Sequence, residues 1–294
     1  MFIADANLTW NLVDDAHQLF QFQFMVNAYR AGTVVAIAAA VIGWFTVLRR
    51  QSFVGHTLSV VAFPGAAGAT LIGIGVAWGY FGFCITAALV IAAIPRRHGH
   101  SFSEESAIVG TVQAFALACG FLFVTLYRGL LTDVNSLLFG SFLGVTENQV
   151  LTLAAVSAGA LAVLALIARP LLFSSIDPDV AASRGIPGRL LSVVFLVVLG
   201  VAVAEASQIT GVLLVFALLI VPAATAHTIT SRPVLGLACS LAVGLVVTWL
   251  GLALAFFSDQ PVGFWITNLA FGAYLVANAV DWLRRRRPRL WLTP

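Results

Sequence analysis

Lysine is missing from this 294-residue chain, and charged residues of every kind make up only 9% of it. With 61% hydrophobic residues the balance is far beyond what one soluble core requires, which excludes a water-soluble globular enzyme. No GxxxxGK[ST] loop occurs, and no lysine is available to reach a phosphate, so the chain has no P-loop route to ATP hydrolysis. HExxH and GxSxG are missing as well, and no paired Ser/His or Asp/Asp constellation lies within the apolar runs. Protease, hydrolase and intramembrane-enzyme readings thereby lose their chemistry. Cysteine is scarce: Cys84, Cys119 and Cys239 stand singly in apolar segments without CxxC spacing. That pattern suits small packed side chains and argues against a disulfide framework or a zinc knuckle.

What the chain does have is length in lipid. Apolar runs near the roughly 20 residues that a helix needs to cross the hydrocarbon recur at about 24–48, 57–78, 80–95, 105–127, 149–169, 190–207, 211–231, 234–257 and 264–283. The fold class is therefore all-α, a polytopic integral membrane helical bundle of about 8–9 transmembrane helices. The third run is short and the GYFGF turn before it is tight, so an even count remains open. Small residues at four-residue spacing, Gly65, Ala69, Gly73 and Ala77, or Gly140 and Gly144, are candidates for close helix contact.

The net charge of +3 rests on fifteen arginines gathered in short loops, a topology signal and no basic face for nucleic acid. Arg49 and Arg50, Arg96 and Arg97, Arg169, Arg184 and Arg189, Arg232, and the tail from Arg284 all follow odd-numbered runs, which puts those loops in the cytoplasm. Arg30 and Arg128 depart from the pattern, at span ends where a long side chain snorkels. Residues 1–22 form an acidic leader with Asp5, Asp14 and Asp15, lack signal-peptide features and are expected outside; 23–283 form the transmembrane domain; 284–294 form a basic cytoplasmic tail.

Two features carry more than topology. In SIDPDVAASRGIPGR (175–189), Asp177 is a good N-cap, Pro178 suits the first helical position, and Asp179 complements the positive helix start. Gly185 and Pro187 then supply a stop. The spacing predicts a short capped helix over about 177–185, in a cytoplasmic loop and suited to docking a partner. Elsewhere Pro64 and Pro222 fall inside apolar runs and free the carbonyls of Val60 and Leu218, as expected of broken helices beside a polar pathway or of packed kinks.

The segments GHTLSVVAFPGAA (55–67), SLLFGSFLGVT (136–146), IDPDVAASRGIPGRLL (176–191) and QITGVLLVFALLIVPAATA (208–226) resemble, in order and separation, the membrane permeases of zinc-, manganese- and iron-type ATP-binding-cassette importers. The resemblance covers roughly residues 25 to 280. It implies a type II ABC importer-like permease in a bacterial plasma membrane, with no cofactor bound by this chain, which is not itself an enzyme. The transported species would be a divalent transition-metal ion. ATP would sit on separate cytoplasmic ATPase subunits, an external metal-binding protein would deliver the ion, and the permease would pair as a homodimer. The residues from Asp177 through Pro178, Asp179, Val180, Ala181, Ala182, Ser183 and Arg184 to Gly185 would form the coupling helix.

The opening segment departs from the family. Relatives usually carry aspartate where this chain has His56, and histidine where it has Val60, a pair one helical turn apart and proposed to meet the ion. Imidazole in place of carboxylate removes a negative charge and supplies a borderline-soft nitrogen, which suits zinc, copper or nickel better than manganese. His56 is thus either a pathway ligand or a residue near the cytoplasmic surface that simply hydrogen-bonds a loop or begins a helix. Ser59 lies on the same face, and Val60 keeps a role only if its freed carbonyl faces the path. Glu205 is a candidate for attracting cations at the outer entrance, and His227 for a ligand near the exit. Gln208 is expected to order the turn before Gly211. His98 and His100 read as solvated loop; His17, Asp133 and Glu147 could face the delivery protein. The competing function is a stand-alone secondary transporter of small metabolites or drugs, which calls for internal duplication and mid-span coupling carboxylates.

Overall fold

A backbone in lipid must satisfy its polar groups internally, and among the described residues this chain does so with helices alone. The computed structural model describes residues 17–94, 102–127, 140, 144–258 and 260–286. In chain order the helices are α1 (Gln23–Leu48), α2 (Ser52–Ile72), α3 (Val76–Ala93), α4 (Phe102–Leu126), α5 (Glu147–Ile176), α6 (Pro178–Ser183), α7 (Gly188–Thr210), α8 (Val212–Ile229), α9 (Pro233–Phe256) and α10 (Val262–Arg286). Eight of them are long and apolar enough to cross a membrane, and α8 is a ninth apolar helix of 18 residues. Each predicted run therefore falls on a helix.

The ends differ where local chemistry overrides hydropathy. The second run starts earlier and stops at Ile72, because Gly73 takes a left-handed conformation (φ 74°) and Ile74 N–H closes on the carbonyl of Ala69 at 3.0 Å. The predicted ridge from Gly65 to Ala77 is thereby cut: Gly65 and Ala69 pack on Gly79 of α3, Gly73 caps, and Ala77 belongs to the next helix. The fifth run, expected to end near 169, continues through Pro170 to Ile176.

The helices alternate in direction. Ser174, Arg49, Ala92 and Gly188 meet at one end, which carries α6. At the other end Gln23 bonds Glu147, Asn27 bonds the carbonyl of Val145, and Phe22 packs on Phe256. The N-terminal residues of α1 and the C-terminus of α10 thus lie at opposite ends of the bundle.

Burial sorts the bundle into centre and periphery. In α2 and α7, 72% of the apolar window is buried, against 17% in α4 and α10. Helix α8 is central and packs on α1, α2, α7, α9 and α10. Backbones touch where side chains vanish: a Cβ at Gly43 of α1 would overlap the carbonyl oxygen of Leu219 in α8, and one at Gly65 would overlap that of Gly79. Of the leader, Leu19 packs with Met25 and Phe256. Residues 1–16, His98, His100, Asp133, most of 136–146 and the tail after 286 lie outside the described residues.

Candidate functional site

Helix α2 begins at Ser52, so His56 stands in its second turn, well inside the helix. Its ring meets the edge of Phe216 of α8 at 4.8 Å between centroids and lies 6.4 Å from Phe53. The imidazole Nδ1 is buried without a hydrogen-bond partner. The loop hydrogen bond that would make His56 merely structural therefore has no counterpart among the described residues. Val60, one turn on, is half-buried like His56, so the two positions share a partly open face of α2. Ser59 points elsewhere: it is 1% exposed and its hydroxyl donates to the carbonyl of His56 at 2.7 Å.

The other sequence candidates are not brought to this point. His227 stacks on Trp44 of α1 (5.3 Å, 14° between planes), with Nε2 3.3 Å from the Trp44 carbonyl oxygen. Glu205 is 3% exposed and lies inside the bundle. One of its carboxyl oxygens accepts from the Ser157 hydroxyl at 2.9 Å and the other is buried without a partner. It borders a cavity of about 340 Å³ shared with Asn148, Gln149, Thr152 and Gln208. Gln208 bonds the Ala204 carbonyl of its own helix at 3.4 Å. Among the described residues no group of three His, Cys, Asp or Glu side chains could hold a metal ion.

The prolines do not break their helices. Both α2 and α8 run on through Pro64 and Pro222, each forfeiting one backbone bond. The carbonyl freed by Pro222 belongs to Leu218, next to Leu219, where Gly43 lets α1 approach most closely. Gly211, with φ 75°, separates α7 from α8, and Gly140 fits against that junction so tightly that a Cβ would overlap the Gly211 nitrogen. Two of the resembling segments thus meet in space.

The short helix is as the sequence punctuates it, six residues long. The Asp177 carboxylate accepts from the Val180 N–H at 3.0 Å, Pro178 occupies the first turn, and Gly185 (φ 73°) leaves it. Asp177 closes α5 and opens α6, so one residue makes the corner. Ala181 alone is buried; from Asp177 to Gly185 every other residue is exposed.

Sequence reasoning missed Arg49, which it treated as a loop charge. Arg49 is half-buried; its guanidinium donates to Ser175 Oγ at 3.1 Å, Ser192 Oγ at 2.7 Å and Gln51 Oε1 at 3.3 Å. It also lies 5.3 Å over the ring of Phe195. The signal that could have found it is the pair of serines bracketing the short helix.

Comparison with known proteins agrees with this architecture. Manganese transport system membrane protein MntC of Halalkalibacterium halodurans is 29% identical over 267 residues, covering 91% of this chain and 90% of that protein. Chelated iron transport system membrane protein YfeC of Yersinia pestis is 30% identical over 260 residues, covering 88% and 87%. Among solved structures, PsaBC from Streptococcus pneumoniae in complex with Fab superposes with a TM-score of 0.79 at 27% identity, covering 90% of this chain and 95% of that one. A putative metal-chelate type ABC transporter in an inward-facing conformation, 16% identical with a TM-score of 0.69, shares the fold. The model of the ABC 3 transport family matches residues 21–281, nearly the whole described bundle, and the chain belongs to that family.

Proposed function

We propose that this chain is the membrane permease subunit of an ATP-driven importer of divalent transition-metal ions. It works as a homodimer in a bacterial plasma membrane, with separate cytoplasmic ATPase subunits and an external metal-binding protein. The observation that carries the reading is α6, a helix exposed on all but one residue, capped at both ends, on a bundle of a transport family. Relatives named for manganese and for chelated iron support a metal cargo. The end bearing α6 and most of the arginines is the cytoplasmic end, which leaves the N-terminus outside and the C-terminus inside. ATP stays on the partner, and this chain contributes the path and the transmission.

His56 is the residue of the path. Its imidazole Nδ1 has no hydrogen-bond partner among the described residues, its side chain sits on a partly open face, and no companions for a closed metal site occur among the described residues. Such a nitrogen suits an ion that is passed on and not retained, and it suits zinc better than manganese. The test is uptake into proteoliposomes holding the permease, its ATPase and the metal-loaded binding protein, with zinc, manganese and iron compared. His56→Ala is expected to lower uptake about ten-fold, the scale on which disturbed metal surroundings act. His56→Asp is expected to move preference toward manganese. Unchanged uptake in both variants would remove His56 from the path.

A further inference from the structure

We infer that Arg49 is the positioning residue that transmits movement of α6 to the start of α2, an inference resting on the importer reading above. Helix α6 is attached at both ends to long helices. Its two flanks are the last turn of α5, with Ser175, and the first turns of α7, with Ser192 and Phe195. Arg49 holds both flanks at once through separate nitrogens of one guanidinium, and the ring of Phe195 lies beneath it. Ser175 spends its own proton on the Leu171 carbonyl, so its oxygen faces Arg49 as an acceptor. A planar fork of donors can bridge two fixed oxygens in this way, whereas an ammonium offers a single point charge.

Arg49 is also the residue that ends α1, and its Nε bonds Gln51, the N-cap of α2. Backbone bonds from Arg50 N–H to the Val47 carbonyl and from Gln51 N–H to the Thr46 carbonyl, each 2.9 Å, make this turn tight. Any displacement of Ser175 and Ser192 thus reaches the first turn of α2, and the next turn carries His56, seven residues beyond Arg49. There is room for such displacement. A cavity of about 510 Å³ lies under α6, lined by Pro178, Ala181 and Ala182 on one side and by Arg49, Ala92 and Ser192 on the other. Pushing α6 inward closes that space against Arg49.

The experiment measures metal ions moved per ATP hydrolysed by the full complex in proteoliposomes, for wild type, Arg49→Met, Arg49→Lys and the double variant Ser175→Ala/Ser192→Ala. Arg49→Met and the double serine variant are expected to co-purify with the ATPase yet move about ten-fold fewer ions per ATP, the factor that one charge-assisted hydrogen bond is worth. Arg49→Lys is expected to recover part of the loss. A merely structural role would lower yield and melting temperature and leave the ratio intact. If Arg49→Met fails to assemble, the double serine variant decides alone, because it leaves Arg49, Gln51 and Phe195 in place. A coupled wild type with an equally coupled double variant overturns this inference only. A wild-type complex that hydrolyses ATP without moving metal overturns the importer reading and this inference with it.

Discussion

Replacing Asp177 by alanine removes the single side-chain bond that starts α6, the 3.0 Å contact from its carboxylate to the Val180 N–H. An N-cap of this kind is worth about 1 kcal/mol. Charge near the first turn adds a few tenths, shared here with Asp179. Six residues are far too few for a helix to persist by propagation, so α6 depends on its ends. A loss of about 1 kcal/mol lowers the helical population by up to about five-fold, and a partner that binds only the helix loses affinity by the same factor. The assay is titration of the detergent-solubilised permease with its ATPase subunit. Asp177→Asn and Asp177→Ser retain a capping oxygen without the charge and are expected to stay within about two-fold of wild type. An alanine variant with unchanged affinity, or an asparagine variant as weak as alanine, would refute the claim that the cap shapes the docking element.

Two further pairs of variants test the interior. Gly43→Ala puts a Cβ into the Leu219 carbonyl and is expected to cost about 1–3 kcal/mol as overpacking, seen as a lower melting temperature in detergent. Gly159→Ala in α5 meets nothing within 4 Å and is expected to stabilise by up to about 1 kcal/mol through helix propensity; equal shifts in the two variants would sink the close-contact reading. Glu205→Gln keeps an oxygen for the Ser157 hydroxyl and is expected to leave uptake and melting unchanged, whereas Glu205→Ala strands that hydroxyl and lowers the melting temperature. A folded glutamine variant that loses uptake would instead show that the carboxylate's charge is used.

Hydropathy located the helices because the bilayer imposes one length and one solvent on every crossing. It could not rank them, since lipid-facing and core-facing side chains are equally apolar. Leu166 is 83% exposed and Leu164 is 1% exposed, two residues apart in the same helix. Helix ends were legible only where polar chemistry marks them. Asp177, Pro178 and Gly185 set α6 almost to the residue, while the end of α5 lies past the apolar run expected to stop near 169, because a proline at 170 forfeits only one bond and the helix runs on to Ile176.

The candidate site divides along the same line. His56 could be named because it is a titratable residue in a nearly uncharged chain, but the sequence could not say what surrounds its ring, which lies between Phe53 and Phe216. Phe216 is 160 residues away in α8, and periodicity carries no information about such a pairing. Arg49 was hidden for a different reason. An arginine just after an apolar run serves the positive-inside rule whether it is solvated or buried, so the topology signal fully accounted for it. Ser175 and Ser192, which bracket α6, are the one mark of it in the sequence, and the fold brings both within reach of one guanidinium. The Arg49 clamp and the Asp177 cap then make opposite demands on the same segment. The cap holds α6 together as a unit, and the clamp passes that unit's position to α1 and α2. Loosening the cap is therefore expected to weaken docking of the proposed ATPase, whereas loosening the clamp is expected to leave docking intact and waste ATP.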